Sequence, residues 1–297
     1  MKISFFIILF FASINLCFCD EPDKKMHLEC LYSTIQLIGP GFSGSGFIVR
    51  SEPSENHYLN VMITSAHIIM GETPHDISEP APTIQNSPFR RLVIKVPKYE
   101  NWSEENGYDE YQKLAVSHIS IKYDMAILIF ESDKKLPVAQ LGFDEKYYLK
   151  SKIFKVGFGG GKNIRVDSGE ITSVKSDYQD CIQINAATIQ GDSGGPCFLE
   201  NYKVIGIVRA IKRMENFQVL TNFSYICPVD WIKKWNKENN NEIEFVFNDK
   251  IKIPTIDSVI KNNKLKHLEK MSAQLRQELE EKKILLDKIN NELQSIR

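Results

Sequence analysis

One stretch of this chain has the composition of a turn that presents a nucleophilic serine. It is the run Gly191-Asp192-Ser193-Gly194-Gly195-Pro196. A nucleophilic serine must be exposed on a tight turn, and glycine tolerates the positive φ and close backbone approach that such a turn requires. The same turn would point the N–H groups of Gly191 and Ser193 into one hollow, an oxyanion hole that stabilises a tetrahedral intermediate. A glycine-rich turn in a β protein is the simpler alternative, so the prediction depends on a base and an acid elsewhere.

A base and an orienting acid are both present at strand ends. His67 ends the run Ile63-Thr64-Ser65-Ala66-His67, and Asp124 precedes the apolar run from Met125. Imidazole titrates near neutral pH, so His67 could accept the hydroxyl proton of Ser193 and later return it to a leaving amine. The carboxylate of Asp124 would hold the imidazole tautomer and stabilise its charged form. The chain order His, Asp, Ser is one of the known solutions for a catalytic triad.

Short β-like runs must position these three residues. Runs rich in β-branched and apolar residues, separated by Gly, Pro, Asn and Asp, extend from Ser33 to Asn222 and predict an all-β sandwich or barrel. A proline-started amphipathic segment from Pro228 to Trp235 predicts a short closing helix. We interpret 239–255 as a linker.

The segment 256–297 has a different pattern and predicts a long amphipathic helix. Positions at four-three spacing form a heptad seam that is apolar except at two of them. The seam residues are Leu268, Ser272, Leu275, Leu279, Lys282, Leu286, Ile289, Leu293 and Ile296. In a parallel pair of helices Glu278 would face Lys283, and Glu292 would face Arg297. A coiled coil that joins copies of the chain is therefore predicted; a helix folded on its own barrel, or a solitary charged helix, is the alternative.

The three catalytic motifs resemble those of trypsin-like serine peptidases of the chymotrypsin fold. Thr64-Ser65-Ala66-His67 resembles the family's histidine block, Asp124-Met125-Ala126-Ile127-Leu128 its aspartate block, and 191–196 matches its nucleophile block. Within the superfamily, further stretches are similar to HtrA-type peptidases. They are Gly44–Val49, Leu136–Gly142, Asp167–Val174 and Ile182–Ala187.

The resemblance covers residues 28–238 and implies two packed six-stranded antiparallel β-barrels with the triad in the cleft between them. It also implies peptide-bond hydrolysis through an acyl-enzyme. By the same resemblance, Ala187 lies at the bottom of the specificity pocket and Ile211 in its wall. A small apolar pocket cannot compensate a buried Lys or Arg of a substrate, so we expect cleavage after small or aliphatic residues.

Two departures from the family pattern limit what carries over. Asp192 has no evident partner, because no Arg or Lys followed by Ile-Val-Gly-Gly supplies the new N-terminus that pairs with this aspartate in digestive peptidases. Activation by zymogen cleavage is therefore not expected. The sequence after residue 250 also lacks room and pattern for a PDZ domain, and the heptad helix stands in its place.

The first 19 residues predict a signal peptide. One lysine precedes an apolar run, and Cys17 and Cys19 fit the positions before a cleavage site at Asp20; a retained signal anchor is the alternative. Export to a secreted or periplasmic location implies an oxidising compartment. Four cysteines would remain and allow three disulfide pairings, between which the sequence does not choose. They are Cys30, Cys181, Cys197 and Cys227.

Composition excludes some classes of function. The net charge of the 297 residues is -1, so no general attraction to nucleic acid or to an anionic membrane is predicted. No segment has the spacing of zinc ligands, and 159–161 lacks the Lys-Ser/Thr ending of a phosphate loop, so no metal or cofactor is predicted. The expected partners are protein or peptide substrates. A catalytically silent peptide-binding module, or a scaffold that acts through its helical tail, is the alternative to a peptidase.

Overall fold

The fold consists of two β-sheets followed by helices. The computed structural model describes residues 26–39, 42–70, 92–98, 107–161, 163–213 and 219–296. The predicted signal peptide, 1–19, lies outside the described residues. A π-helical turn, His27–Leu31, enters the first sheet.

The first sheet has seven strands in the order β5-β4-β1-β2-β3-β7-β6. In chain order they are β1 Thr34–Gly39, β2 Phe42–Ser54, β3 His57–Thr64, β4 Val93–Pro97, β5 Tyr108–Tyr111, β6 Leu114–Ser120 and β7 Met125–Ser132. Within the described ranges no pairing joins β5 to β6, so this sheet is an open half-barrel. The prediction of a six-stranded barrel was wrong here in strand number and in closure.

The second sheet also has seven strands, and six of them close into a barrel. Its strands are β8 Gln140–Leu141, β9 Lys152–Gly157, β10 Arg165–Ser173, β11 Ile182–Ile184, β12 Pro196–Leu199, β13 Lys203–Arg213 and β14 Val219–Pro228. A pairing between β12 and β13 closes the ring β12-β9-β10-β11-β14-β13. The predicted six-stranded barrel is confirmed for this half. The remaining strand, β8, adds to β13 in parallel.

Buried residues alternate between two cores along the central strands of the first sheet. In β7, Ile127 and Ile129 belong to a core shared with the second sheet, whereas Leu128 and Phe130 belong to a core on the opposite face. Side chains of a strand point to opposite faces with period two, so a strand with both faces covered is apolar throughout. The continuous apolar run after Asp124 is explained by this double burial.

Three helices complete the fold. The five-residue α1, Ala66–Met70, follows β3, and α2, Asp230–Glu238, follows β14. The chain between α2 and the last helix includes a 3₁₀ turn, Glu244–Val246, whose Phe245 and Val246 are buried in the shared core. The long α3 spans Ile256–Ile296. Among the described helices none combines the length and the apolar character needed to cross a membrane.

Candidate active site

His67 and Asp124 lie in direct contact. One carboxylate oxygen of Asp124 accepts a hydrogen bond from the backbone N–H of His67 at 3.0 Å, and the other lies 2.9 Å from Nδ1 of the imidazole. Asp124 is fully buried and His67 is 7% exposed. The backbone of Asp124 has a φ of 49°, at the end of the tight bend between β6 and β7. Aspartate tolerates this left-handed conformation better than most residues, so the bend can end on the functional side chain.

The turn that carries Ser193 depends on two glycines. Gly191 has a φ of 104° and Gly194 a φ of 83°. A Cβ on Gly191 would lie 2.4 Å from the carbonyl oxygen of Phe158, and one on Gly194 would lie 2.1 Å from that of Ser45. Both positions therefore require glycine for conformation and for space.

Two N–H groups of this turn remain available. Asp192 N–H donates to the carbonyl of Ile189, and Gly194 N–H to that of Val208. In the described ranges, the N–H groups of Gly191 and Ser193 donate to no other protein group. They are the pair that the sequence nominated for an oxyanion hole, and a bound oxyanion would satisfy them.

Ser45 on β2 holds the serine turn of the second sheet against the first sheet. Its backbone N–H donates to the carbonyl of Ser193 at 2.8 Å, and its hydroxyl donates to the carbonyl of Gly191 at 2.7 Å. The hydroxyl also accepts the N–H of Phe158 at 2.8 Å. The motif Gly44–Val49 thus places a buried serine where three backbone groups of the second sheet converge.

Hydrogen bonds to β13 connect the turn that carries Ser193 with the segment that carries His67. The Ser193 hydroxyl donates to the carbonyl of Arg209 at 3.5 Å, the limit of a hydrogen bond. The neighbouring Val208 carbonyl accepts from Gly194 N–H and from the hydroxyl of Ser65, two residues before His67. Among the described residues no hydrogen bond joins Ser193 to His67. Such bonds are often long in a site without substrate and shorten when substrate binds.

The structure supplies the partner of Asp192 that the sequence did not reveal. Lys155 on β9 places its ammonium 2.6 Å from one carboxylate oxygen of Asp192 and 2.9 Å from Asp167. The side chains of Lys155 and Asp192 are each 1% exposed. The paired oxygen of Asp192 also accepts the N–H of Ile189 at 2.9 Å. An internal ammonium thus lies against the residue before Ser193.

Arg209 contributes a second buried cation beside the site. Its Nε lies 3.3 Å from the Asp124 oxygen that faces His67, and the residue is 2% exposed. The guanidinium carbon lies 5.1 Å from the centre of the Tyr178 ring, and Nη1 lies 3.7 Å from Sγ of Cys181. Burial disfavours the charged guanidinium, but neighbouring groups, including Asp124, raise the pKa of Arg209 overall.

The two residues assigned to the specificity pocket lie near each other. Ile211 pairs with Ser224 across β13 and β14. The Ser224 hydroxyl donates to the carbonyl of Ala186, the residue before the half-buried Ala187, at 3.1 Å. Ser224 therefore connects the two positions. The side chain of Ile211 is outside the described part of the chain.

Three buried cysteines are thiols: Cys197 on β12, Cys227 on β14, and Cys181 in the segment just before β11. Burial raises the pKa of Cys197 to about 12. A hydrogen bond with Cys227 lowers the pKa of Cys181, whereas burial raises that of Cys227. The predicted disulfide is not confirmed.

A family model described as trypsin-like peptidase domain matches residues 44–207, more than half of the chain. The chain belongs to the trypsin-like peptidase family. The resemblance inferred from its motifs is thereby confirmed. This trypsin-like peptidase is 24% identical over 210 residues to human "Serine protease HTRA4", covering 67% of this chain and 35% of that protein. It spans 35 to 41% of the length of three such HTRA relatives.

Two further comparisons agree with this family. The "Probable periplasmic serine endoprotease DegP-like" of Bartonella henselae is 33% identical over 93 residues, which are 30% of this chain and 18% of that protein. The crystal structure of the serine endoprotease from Yersinia pestis superposes with a TM-score of 0.52 and 14% identity, over 74% of this chain and 66% of that chain. At that identity the structural likeness shows the fold alone.

Sequence reasoning missed Lys155 and Arg209, although both carry a signal. Lys155 interrupts the apolar run Ile153-Phe154-Lys155-Val156, and Arg209 interrupts Ile205-Gly206-Ile207-Val208 and the residues after it. A charged residue inside a buried strand is rarely unpaired, because an isolated buried charge is very costly. Both interruptions therefore predict a buried partner of opposite charge, but not which one.

Proposed function

We propose that this chain is a serine endopeptidase that uses His67, Asp124 and Ser193 as a catalytic triad. The observation that carries the proposal is the contact between Asp124 and His67, beside a serine turn in which two N–H groups donate to no group among the described residues. Membership of the trypsin-like peptidase family supports the same function.

The proposed chemistry follows from the roles of these groups. His67 takes the proton of the Ser193 hydroxyl as its oxygen attacks the substrate carbonyl carbon. The N–H groups of Gly191 and Ser193 donate to the oxyanion that forms, while Asp124 stabilises the imidazolium. The protonated His67 then gives its proton to the leaving amine, and water hydrolyses the acyl-enzyme by the same route.

Specificity and activation are part of the proposal. We propose that the positions of Ala187 and Ile211 mark a pocket that favours small or aliphatic residues before the cleaved bond. The Lys155–Asp192 pair supports a serine turn that is held without a newly cut N-terminus, because the required cation comes from within the chain.

We also propose that α3 joins two copies of the chain in parallel. Its first turns are anchored: Ile256 and Val259 are 3% and 5% exposed, and the Asn263 side chain donates to the carbonyl of Val116 at 2.8 Å. Beyond them the seam is exposed, with Leu275 at 61% and Leu279 at 56%. A second copy would cover this seam and place Glu278 opposite Lys283.

The location of the proposed peptidase is outside the cytoplasm, secreted or periplasmic. The apolar segment at 1–19 supports export, and the DegP-like relative carries the word periplasmic in its name. Fractionation of cells that express the full chain would test this; recovery of the intact, uncleaved chain in the cytoplasm would contradict it.

Labelling and peptide digestion test the enzymatic proposal together. The full chain and Ser193→Ala would be incubated with labelled diisopropyl fluorophosphate and with a peptide library read by mass spectrometry. We expect label and cleavage only with the native serine, and cuts after small or aliphatic residues. A folded wild-type protein that takes no label and cuts no peptide would instead support the binding-module alternative.

Sedimentation tests the proposed dimer. Leu275→Glu combined with Leu279→Glu should convert a dimer to a monomer, whereas Gln274→Glu, off the seam, should not. A wild-type protein that is monomeric at high concentration would refute the pairing of α3.

A further inference from the structure

The buried guanidinium of Arg209 contacts the carboxylate of Asp124, which faces His67. The same Asp124 oxygen lies 2.9 Å from the imidazole Nδ1 and 3.3 Å from Nε of Arg209. Nε forms no aligned hydrogen bond within the described residues, so its contact with Asp124 is an ion pair. When His67 is protonated, Asp124 lies between two positive charges.

Tyr178 and Cys227, which also face Arg209, are neutral, so Asp124 is its anionic partner near neutral pH. Tyr178 and Cys181, from the segment before β11, and Cys227, on β14, surround the guanidinium. Burial raises the pKa of Tyr178 and that of Cys227, so both stay neutral. Cys181 has its pKa lowered by a hydrogen bond with Cys227, and it is a competing partner at alkaline pH.

We propose that Arg209 is a positioning residue that fixes Asp124 and sets the pH at which His67 becomes a free base. This inference rests on the proposed triad. Arg209 contacts two members of the triad: its side chain pairs with Asp124, and its carbonyl accepts a hydrogen bond from the Ser193 hydroxyl. A shift of this one residue would therefore disturb the orienting acid and the nucleophile together.

The direction of the effect follows from Coulomb's law. The imidazolium and the guanidinium contact the same oxygen, so their nearest nitrogens are no more than about 6 Å apart. Two positive charges at this separation inside the protein repel each other more strongly than they would in water. Arg209 thus disfavours protonated His67 and extends the active range of the site toward acid pH.

The test reads the imidazole itself, so it does not depend on peptidase activity. In full-length Ser193→Ala protein with ¹⁵N-labelled histidine, NMR would follow the titration midpoint of His67. Arg209→Met removes the charge and keeps an unbranched side chain, and Arg209→Lys keeps the charge. Arg50→Met is the matched control, because Arg50 is another buried arginine, paired with Glu52 and with carbonyls after α2.

We expect Arg209→Met to move the His67 midpoint to higher pH, and Arg209→Lys to restore most of the change. Arg50→Met should leave the midpoint in place. In protein with native Ser193, the acid limb of kcat/KM should move in the same direction. If Arg209→Met does not fold, Arg209→Gln takes its place as the neutral variant.

An unchanged His67 midpoint in the folded neutral variant would overturn the proposal, whatever happens to activity. A raised midpoint in a chain that cuts no peptide would leave the role of Arg209 intact and refute the proposed peptidase function instead. The two hypotheses therefore fail separately.

Discussion

The buried pair of Lys155 and Asp192 gives the sharpest prediction about stability. In Lys155→Met, the Asp192 carboxylate keeps its N–H donor from Ile189 but loses its cation, and its second oxygen has no hydrogen-bond partner in the described structure. Removal of one member of a buried ion pair typically costs 3–5 kcal/mol, about half of a common total stability. We expect a folded but weakened protein that reacts slowly with labelled diisopropyl fluorophosphate, because the turn before Ser193 is no longer fixed.

The reverse substitution should cost less, and this asymmetry comes from the geometry. In Asp192→Asn, Lys155 keeps Asp167 at 2.9 Å, so no unpaired charge remains. In the double variant, the asparagine no longer needs a cation and still accepts the Ile189 N–H. We therefore expect the double variant to recover at least about 2 kcal/mol of the loss seen in Lys155→Met.

Urea unfolding followed by tryptophan fluorescence measures the four free energies of this cycle. Lys203→Met is the control: it breaks an ion pair with Glu145 of the same 2.6 Å length, but the lysine side chain is 40% exposed. This change should leave the unfolding midpoint close to the wild-type value, since exposed pairs contribute little. Additive effects of Lys155→Met and Asp192→Asn would refute the reasoning.

Three further predictions concern the serine turn, a buried thiol and a half-buried histidine. Gly191→Ala should abolish labelling of Ser193, because the added methyl group would meet the Phe158 carbonyl. The control is Gly107→Ala: Gly107 has a φ of 71° and open space around it, so the change should cost only about 1 kcal/mol and keep activity. Equal labelling of the two variants would contradict this. Cys197, with its pKa of about 12, should resist iodoacetamide in the native protein and react after unfolding. Burial lowers the pKa of His118 in the folded protein, so as the pH falls the unfolded chain is protonated at this residue before the folded one. The stability that neutral His118 contributes is therefore complete above pH 6.5 and is lost as the pH falls through the folded pKa. His118→Gln should therefore reduce the loss of unfolding free energy between about pH 7.5 and about pH 5.5, and an unchanged loss would show that other groups control it.

The predictable parts of this protein are those in which local sequence and global fold demand the same residues. The serine turn needs glycine at positions 191 and 194 because both residues have a positive φ, a preference that local backbone sterics alone explain. The continuous apolar run of β7 likewise predicts a strand that is buried on both faces. The heptad pattern, which begins near Leu265, lies within the last helix, which starts at Ile256.

Long-range pairings were not predictable in the same way. Lys155 and Asp192 are 37 residues apart, and no local pattern indicates which of several acids the lysine meets. The missing closure of the first sheet depends on where β5 and β6 lie, which alternation along a single strand does not report. The parallel addition of β8 depends on the path of the connection between the sheets, and two residues are too few to show a periodicity.

The length of α3 fixes a distance. From Leu268, the first seam residue, to Ile296 the helix rises about 1.5 Å per residue and extends about 42 Å. A flexible chain of the same number of residues would span only about 30 Å on average and would sample every direction. A molecule bound at the far end would therefore be held along one axis, set by the docking of Ile256 and Val259 at the base.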